Sequence, residues 1–409
     1  MSASDRTPRS SSGISRRRAL GLASTLGLTP LAATACASGS AASSGTPSTS
    51  GTASSAASAP GRPVGRAPLT TDATNRIVLL GTSGGPPWWN DSHREGVASA
   101  VVVGDKYYLV DAGDGVGKQI KKAKLGTWDK DMRGPLDALV AVFLTHLHSD
   151  HINDLSNILS LGAYNGLVAA DRPVPVWGPG NRGILPPKTG THPMPPITAP
   201  DNPTPGTAEM VGLLVRAFAT DFNDRAIDGG MPAPQDMFAG HDIPLPERLV
   251  DDPNGDPHPR MKPVVFYEDD RVKVSATLVQ HAPVFPSFAF RFDTEDGSVV
   301  FSGDTGPSEN LVRMARGADV LVHEVIATEW AAQRYPEPRS PEDEAAFQHL
   351  IKSHTPVEEV GAIAEKAGVP TLVLNHFVPG SWPLEKWQAA QQGYSGRLIV
   401  GADLDEIGL

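Results

Sequence analysis

The chain has 409 residues with 35 Lys and Arg against 46 Asp and Glu, a net charge of −11, 40% hydrophobic and 20% charged residues. This composition excludes a disordered polyampholyte and a membrane bundle, and its acidity argues against a polyanionic partner held by bulk electrostatics. The single cysteine, Cys36, excludes an internal disulfide, a Cys-rich zinc site and a catalytic thiol inside the fold, so any metal must sit on His, Asp and Glu.

The chain opens with Ser15-Arg16-Arg17-Arg18 ahead of a weakly apolar stretch, Leu20 to Ala35. That stretch is too short and too polar to span a membrane, which takes about 20 strongly apolar residues. It resembles a twin-arginine export signal, so residues 1–35 are expected to be a signal peptide and the protein to be secreted or anchored outside the cytoplasm. Thr34-Ala35-Cys36-Ala37 is similar to a lipoprotein processing site, with a lipid at Cys36 as the only expected membrane attachment. Residues 36–72, rich in Ser, Ala and Gly, are expected to form a disordered linker, because such a composition cannot repay the entropy of folding. Without the leader's five arginines and Asp5 the chain keeps 30 basic and 45 acidic side chains.

From residue 73 to 409 the pattern is that of one layered domain. Short β-rich runs predict strands over Ile77–Leu80, Ala98–Val103, Tyr107–Val110, Leu139–Leu144, Val174–Trp177, Val272–Val279, Phe288–Phe292, Val299–Phe301, Val320–His323, Thr371–Leu374 and Leu398–Val400. Helical periodicity predicts helices over Val116–Lys122, Asp154–Leu161, Glu309–Ala315, Pro341–Ile351 and Pro356–Ala367, the last with Pro356 in its first turn behind Thr355 as cap. Eleven strands need two sheets. Two mixed β-sheets flanked by helices give an α/β four-layer αββα sandwich. Residues 178–263, dense in proline, glycine and acidic residues, break the rhythm and read as an insertion, held to the core by apolar pieces such as Val211–Phe218.

The chemistry concentrates in Thr145-His146-Leu147-His148-Ser149-Asp150-His151, directly after an apolar run. A regular strand would send His151 away from the other three metal-competent side chains. Convergence therefore requires the strand to end near Thr145 and a helix to start near Ile152. His281, Asp304 and His376 each fall just past a predicted strand, and strand ends gathered at one rim bring distant residues to one point. His93, His192, His241, His258, His323 and His349 have no ligand spacing. Trp88, Trp89, Trp177 and Trp382 are candidates for a substrate mouth or for ordinary packing.

These motifs, with Leu80-Gly81-Thr82-Ser83-Gly84-Gly85, Val110-Asp111-Ala112-Gly113, Phe301-Ser302-Gly303-Asp304-Thr305-Gly306, Val322-His323-Glu324, His354-Thr355-Pro356 and Asn375-His376-Phe377, resemble the metallo-β-lactamase superfamily, in its ribonuclease Z and arylsulfatase branch. The resemblance implies a dinuclear site: one zinc on His146, His148 and His281, another on Asp150, His151 and His376, with Asp304 bridging. Zn²⁺ suits this donor set, and Mn²⁺ or Fe²⁺ would also be accepted. It further implies that Asp111 orients the cluster from behind, that Asp150 is part of the catalytic constellation, and that His354 paired with Glu324 protonates a leaving group.

The implied function is an exported zinc hydrolase that cleaves a phosphodiester or aryl sulfate by metal-activated hydroxide, with a small anionic ester as substrate. A ribonuclease Z-type endonuclease processing tRNA 3′ ends is the alternative, and a lactonase or a non-catalytic metal-binding lipoprotein carries less weight. The acidic insertion and the export signal argue against nucleic acid as partner, and a homo-oligomer is left open.

Overall fold

The computed structural model describes residues 68–127, 134–170 and 173–409. The expected signal peptide, Cys36 and residues 36–67 of the linker lie outside the described residues. Fourteen strands occur among the described residues. The first sheet holds β1 (Arg76–Gly81), β2 (Ala98–Val103), β3 (Lys106–Val110), β4 (Leu139–Phe143), β5 (Val174–Gly178) and β6 (Phe238–Asp242). The second holds β7 (Val264–Glu268), β8 (Lys273–Leu278), β9 (Phe288–Asp293), β10 (Ser298–Phe301), β11 (Val320–Ile326), β12 (Thr371–Val378) and β13 (Arg397–Val400), and β14 (Glu406–Gly408) returns to the first. The strand orders are β14-β1-β2-β3-β4-β5-β6 and β13-β12-β11-β10-β9-β8-β7, both mixed.

Period-two alternation sorts the side chains into layers. Ile77 and Leu79 on β1, with Val101 and Val103 on β2, face the second sheet, where Val299 and Phe301 on β10 meet them in one core cluster. Their neighbours Val78, Leu80, Ala100 and Val102 face outward, under Val116 and Ile120 of α1 (Val116–Lys122). On the other side Val300, Leu321 and Leu372 are covered by α7 (Glu309–Ala315) and α10 (Val357–Ala367). Three apolar interfaces among four layers give the expected αββα sandwich. No helix among the described residues is long and apolar enough to cross a membrane.

Three strands, β6, β7 and β14, have no counterpart in the sequence reading. All three lie at sheet edges, with one neighbour each. A strand covered on one side only needs little apolar alternation; β6 (FAGHD) buries one residue of five. Residues 178–263 are accordingly more ordered than an insertion of loops. Between β5 and β6 they carry α4 (Thr207–Ala217), α5 (Ala219–Gly229) and α6 (Pro234–Met237), and β6 runs parallel to β5. Val211 of α4 is buried on the sheet. A Cβ at Gly240 would stand 2.8 Å from Val211 Cβ and 3.0 Å from the Thr207 carbonyl, so glycine is what lets α4 lie on β6.

Two local expectations are corrected. Pro356 is the N-cap of α10 and not a first-turn residue. Thr355 does not cap the helix, because its hydroxyl donates to the Thr305 carbonyl at 2.6 Å.

Candidate metal centre

The turn after β4 is held from beneath. Asp111 sits in the left-handed region (φ 60°) at the end of β3, and its carboxylate accepts from the Thr145 N–H at 2.8 Å and the Thr145 hydroxyl at 2.9 Å. The strand ends at Phe143, and α2 (Ser149–Ile152) starts before α3 (Leu155–Leu161). The Ala112 N–H donates to the His151 carbonyl at 2.7 Å, so this helical turn is drawn over the end of β3. The result is the inward fold that the four side chains require.

His281 follows β8 and Asp304 follows β10, as strand-end residues. His376 departs from that expectation: it lies inside β12. Leu374 pairs with His323 and Phe377 with Val325, so Asn375 and His376 together oppose Glu324 alone. This bulge gives His376 a φ of 46° and re-aims its side chain. The ring packs on the turn after β1, where a Cβ at Gly84 would stand 2.4 Å from its Nδ1.

The seven side chains meet in two sets that share one residue. The donor atoms of His146, His148, His281 and Asp304 lie within 4.8 Å of one another, and so do those of Asp150, His151, Asp304 and His376. Asp304 Oδ2 is 3.8 Å from His146 Nε2 and 3.8 Å from His281 Nε2. Its Oδ1 is 3.2 Å from His151 Nε2 and 3.2 Å from His376 Nε2. One carboxylate thus turns one oxygen to each set. His146 Nε2, His151 Nε2 and Asp304 Oδ1 are buried without a hydrogen-bond partner, a costly arrangement in protein alone. Imidazole and carboxylate donors converging with free lone pairs are what a divalent cation takes. The residues fit a metal.

Hydrogen bonds behind the rings leave the inward nitrogens for coordination. His151 Nδ1 donates to Asp111 Oδ2 at 2.9 Å and His281 Nδ1 to the Ser353 carbonyl at 2.8 Å. The Gly85 N–H donates to Asp150 Oδ2 at 2.9 Å. Burial holds the pKa values of His146, His148 and His281 below the usual imidazole range, which keeps them neutral. Burial pushes His151 the same way, but Asp304, Asp111 and Asp150 outweigh it and hold a positive charge there. A cation would replace that proton. For Asp304, burial opposes ionisation, and His376 and His151 overcome it.

His354 stands over the centre, its ring 5.2 Å from that of His281 and 5.8 Å from that of His376. Nδ1 is 3.0 Å from Glu324 Oε1, an oxygen that also accepts from the Thr305 N–H at 2.7 Å. Burial disfavours the imidazolium, yet the Glu324 charge and hydrogen bond prevail and raise the pKa to about 9. With Nδ1 engaged, Nε2 is left to carry a proton elsewhere. Among the histidines without ligand spacing, His323 is the buried one here; Nδ1 holds the Glu324 carbonyl at 2.7 Å, and burial lowers its pKa to about 4.

Trp88 and Trp89 line a pocket of about 280 Å³ beside Asp150, with Trp88 88% exposed and its Nε1 donating to Asp114. Trp177 instead stacks on His241 at 4.6 Å, and Trp382 lies under Lys386. Sequence reasoning gave no supporting role to Thr145, Gly84, Gly85 or Ser353, although Thr145 and the glycine-rich turn after β1 stand in motifs it singled out; that turn's partner His376 is nearly three hundred residues away.

Residues 93–349 match the family model of the metallo-beta-lactamase superfamily, a span that includes all the ligand candidates but His376. Ribonuclease Z of Mycobacterium bovis BCG is 32% identical over 336 residues, covering 81% of this chain and 97% of that protein. Ribonuclease Z of Mycobacterium tuberculosis H37Rv is 31% identical over the same length. Among solved structures, the short form of human tRNase Z aligns with 81% of this chain and 98% of its own, with a TM-score of 0.52 at 16% identity, a likeness of fold.

Proposed function

We propose a function from one premise: the chain belongs to the metallo-β-lactamase superfamily and, within it, to the ribonuclease Z branch. It is a metal-dependent hydrolase that acts on phosphoester bonds. The finer reading is a phosphodiesterase of ribonuclease Z type with two zinc ions, one on His146, His148 and His281 and one on Asp150, His151 and His376. The observation that carries it is Asp304, with one oxygen toward each set, beside a His354–Glu324 pair.

Bound there, two cations would neutralise the phosphate and activate the attacking water. The protein's own residues do the rest. Asp304 fixes the spacing of the two sets, and Asp111 orients His151 through Nδ1. Glu324 keeps His354 protonated, and His354 Nε2 delivers its proton to the departing oxygen.

The relatives' names favour an RNA phosphodiester, the alternative reading of the sequence, over an aryl sulfate. The acidic segment 178–263 favours a small diester, so that reading is kept beside it. Zinc-loaded protein offered bis-p-nitrophenyl phosphate, precursor tRNA, p-nitrophenyl sulfate, a lactone and a β-lactam separates them. Diester cleavage is expected; turnover of only the sulfate, lactone or β-lactam would overturn the reading. Export by the twin-arginine route and lipid attachment at Cys36 belong to the same proposal. Fractionation of cells carrying the wild type, an Arg16/Arg17→Lys double variant and Cys36→Ser tests them.

A further inference from the structure

A second pocket, of about 290 Å³, adjoins the centre on the side of His148. Its walls come from three stretches far apart in sequence: the turn at Leu147–His148, the start of the inserted segment at residues 179–186 with Thr204 and Pro205, and the loop after His281 from Pro283 to Pro286. Prolines, Val284 and Phe285 dominate it, and no carboxylate lines it. Its one guanidinium, on Arg182, is already engaged. Nη1 donates to the Pro283 carbonyl at 2.8 Å, and Nη2 donates to the Pro253 carbonyl at 3.2 Å and to Asn254 Oδ1. The same guanidinium lies 5.9 Å from the Phe285 ring centre. Arg182 therefore ties its own stretch of wall to the Pro283 loop and to residues 253–254, with both terminal nitrogens bonded to protein oxygens and Nε buried without a partner.

From this geometry we infer that the segment 178–263 is a specificity element: it builds, beside His148, a pocket for one uncharged, apolar ester arm of the substrate. The inference rests on the phosphodiester reading above and names the substrate class within it. His148 is shared between the pocket and the first ligand set, so the pocket lies directly beside the centre. The occupant must be apolar, since the walls offer few polar partners to a charged or heavily hydroxylated group and would desolvate it without compensation. The room suffices, because a cavity of about 150 Å³ already takes benzene. The pocket beside Asp150 differs: Glu95, Asp114 and Asn153 join Trp88 and Trp89 there. The two arms of the preferred diester are therefore unlike. Arg182 is a positioning residue that holds the wall in place.

The test is binding of two slowly cleaved diesters, dimethyl phosphate and methyl phenyl phosphate, to the zinc-loaded full chain. It is followed by titration calorimetry and by competitive inhibition of bis-p-nitrophenyl phosphate hydrolysis. Methyl phenyl phosphate is expected to bind about tenfold or more tightly than dimethyl phosphate. Val284→Trp, which fills the pocket, should bring the two ligands to near parity, and Arg182→Ala, which frees the wall, should erode the preference severalfold. Trp88→Ala should leave the preference in place. Metal content and circular dichroism confirm that each variant is folded and loaded, and either of the first two suffices. A preference absent in the wild type, or surviving both Val284→Trp and Arg182→Ala, would overturn the inference and leave the phosphodiester reading intact. Failure to bind or cleave any diester would overturn both.

Discussion

The first sheet supplies four ligand candidates from a single turn after β4, His146 to His151, while the second supplies three from three separate strands, His281, Asp304 and His376. The difference carries into their support. The first-sheet turn is held locally, by Asp111 beneath Thr145 and His151. The second-sheet residues depend on strand pairing, on the β12 bulge, and on cross-sheet contacts such as Gly84 against His376. The contiguous half is set by the path of one short segment, whereas the scattered half depends on the register of several strands. The centre is thus a joint between a contiguous half and a scattered one, and Asp304 is the residue common to both sets.

The joint can be broken at that residue. Asp304→Ala, or His148→Ala on the opposing turn, should abolish turnover and bound metal, a loss of at least about a thousandfold in kcat/KM since both metal roles go. Elemental analysis checks it, and two zincs retained in both variants would defeat the assignment. His354→Ala removes the proton donor but no ligand, so a drop of about a hundredfold to ten-thousandfold is expected for poor leaving groups with metal content unchanged. The dependence of rate on leaving-group pKa steepens in this variant; an unchanged slope would contradict the role given to His354.

A finer comparison comes from the support of the contiguous half. Asp111→Asn keeps the shape but weakens the hold on His151, and metal affinity measured by competition with a chelator should fall about tenfold to a hundredfold. The smallest effect concerns the seam of the two sheets away from the metal. Asp403, after β13, accepts from the Thr82 hydroxyl at 2.6 Å and the Glu95 N–H at 2.7 Å, and burial raises its pKa to about 6. A raised carboxyl pKa means that the folded state holds the proton more tightly. The contribution is full below the unfolded value of about 3.9 and is lost as pH rises through about 6. Asp403→Asn cannot follow that slope. Its melting temperature relative to wild type should rise by a few degrees between pH 4.5 and pH 7, and parallel curves would remove Asp403 from the seam's titration.

Much of the domain was legible without coordinates. Ile77 to Leu80 and Val299 to Phe301 announce strands because alternating or continuous apolar residues leave few other ways to bury them. Edge strands β6, β7 and β14 were silent, since one-sided pairing asks little of their side chains. The ordered path of residues 207–242 showed only in the apolar piece Val211–Phe218, since α5 buries no residue at all.

The sequence by itself determined the layered architecture and the density of metal-competent side chains in His146 to His151, because each follows from local pattern or residue chemistry. Only the tertiary structure decided that Asp304 splits its oxygens between two sets, that His376 reaches them through a bulge inside β12, and that Arg182 closes a pocket beside His148. Those facts depend on register and on the stacking of one sheet over the other. Such terms couple residues tens to hundreds of positions apart and leave no periodic trace in the chain.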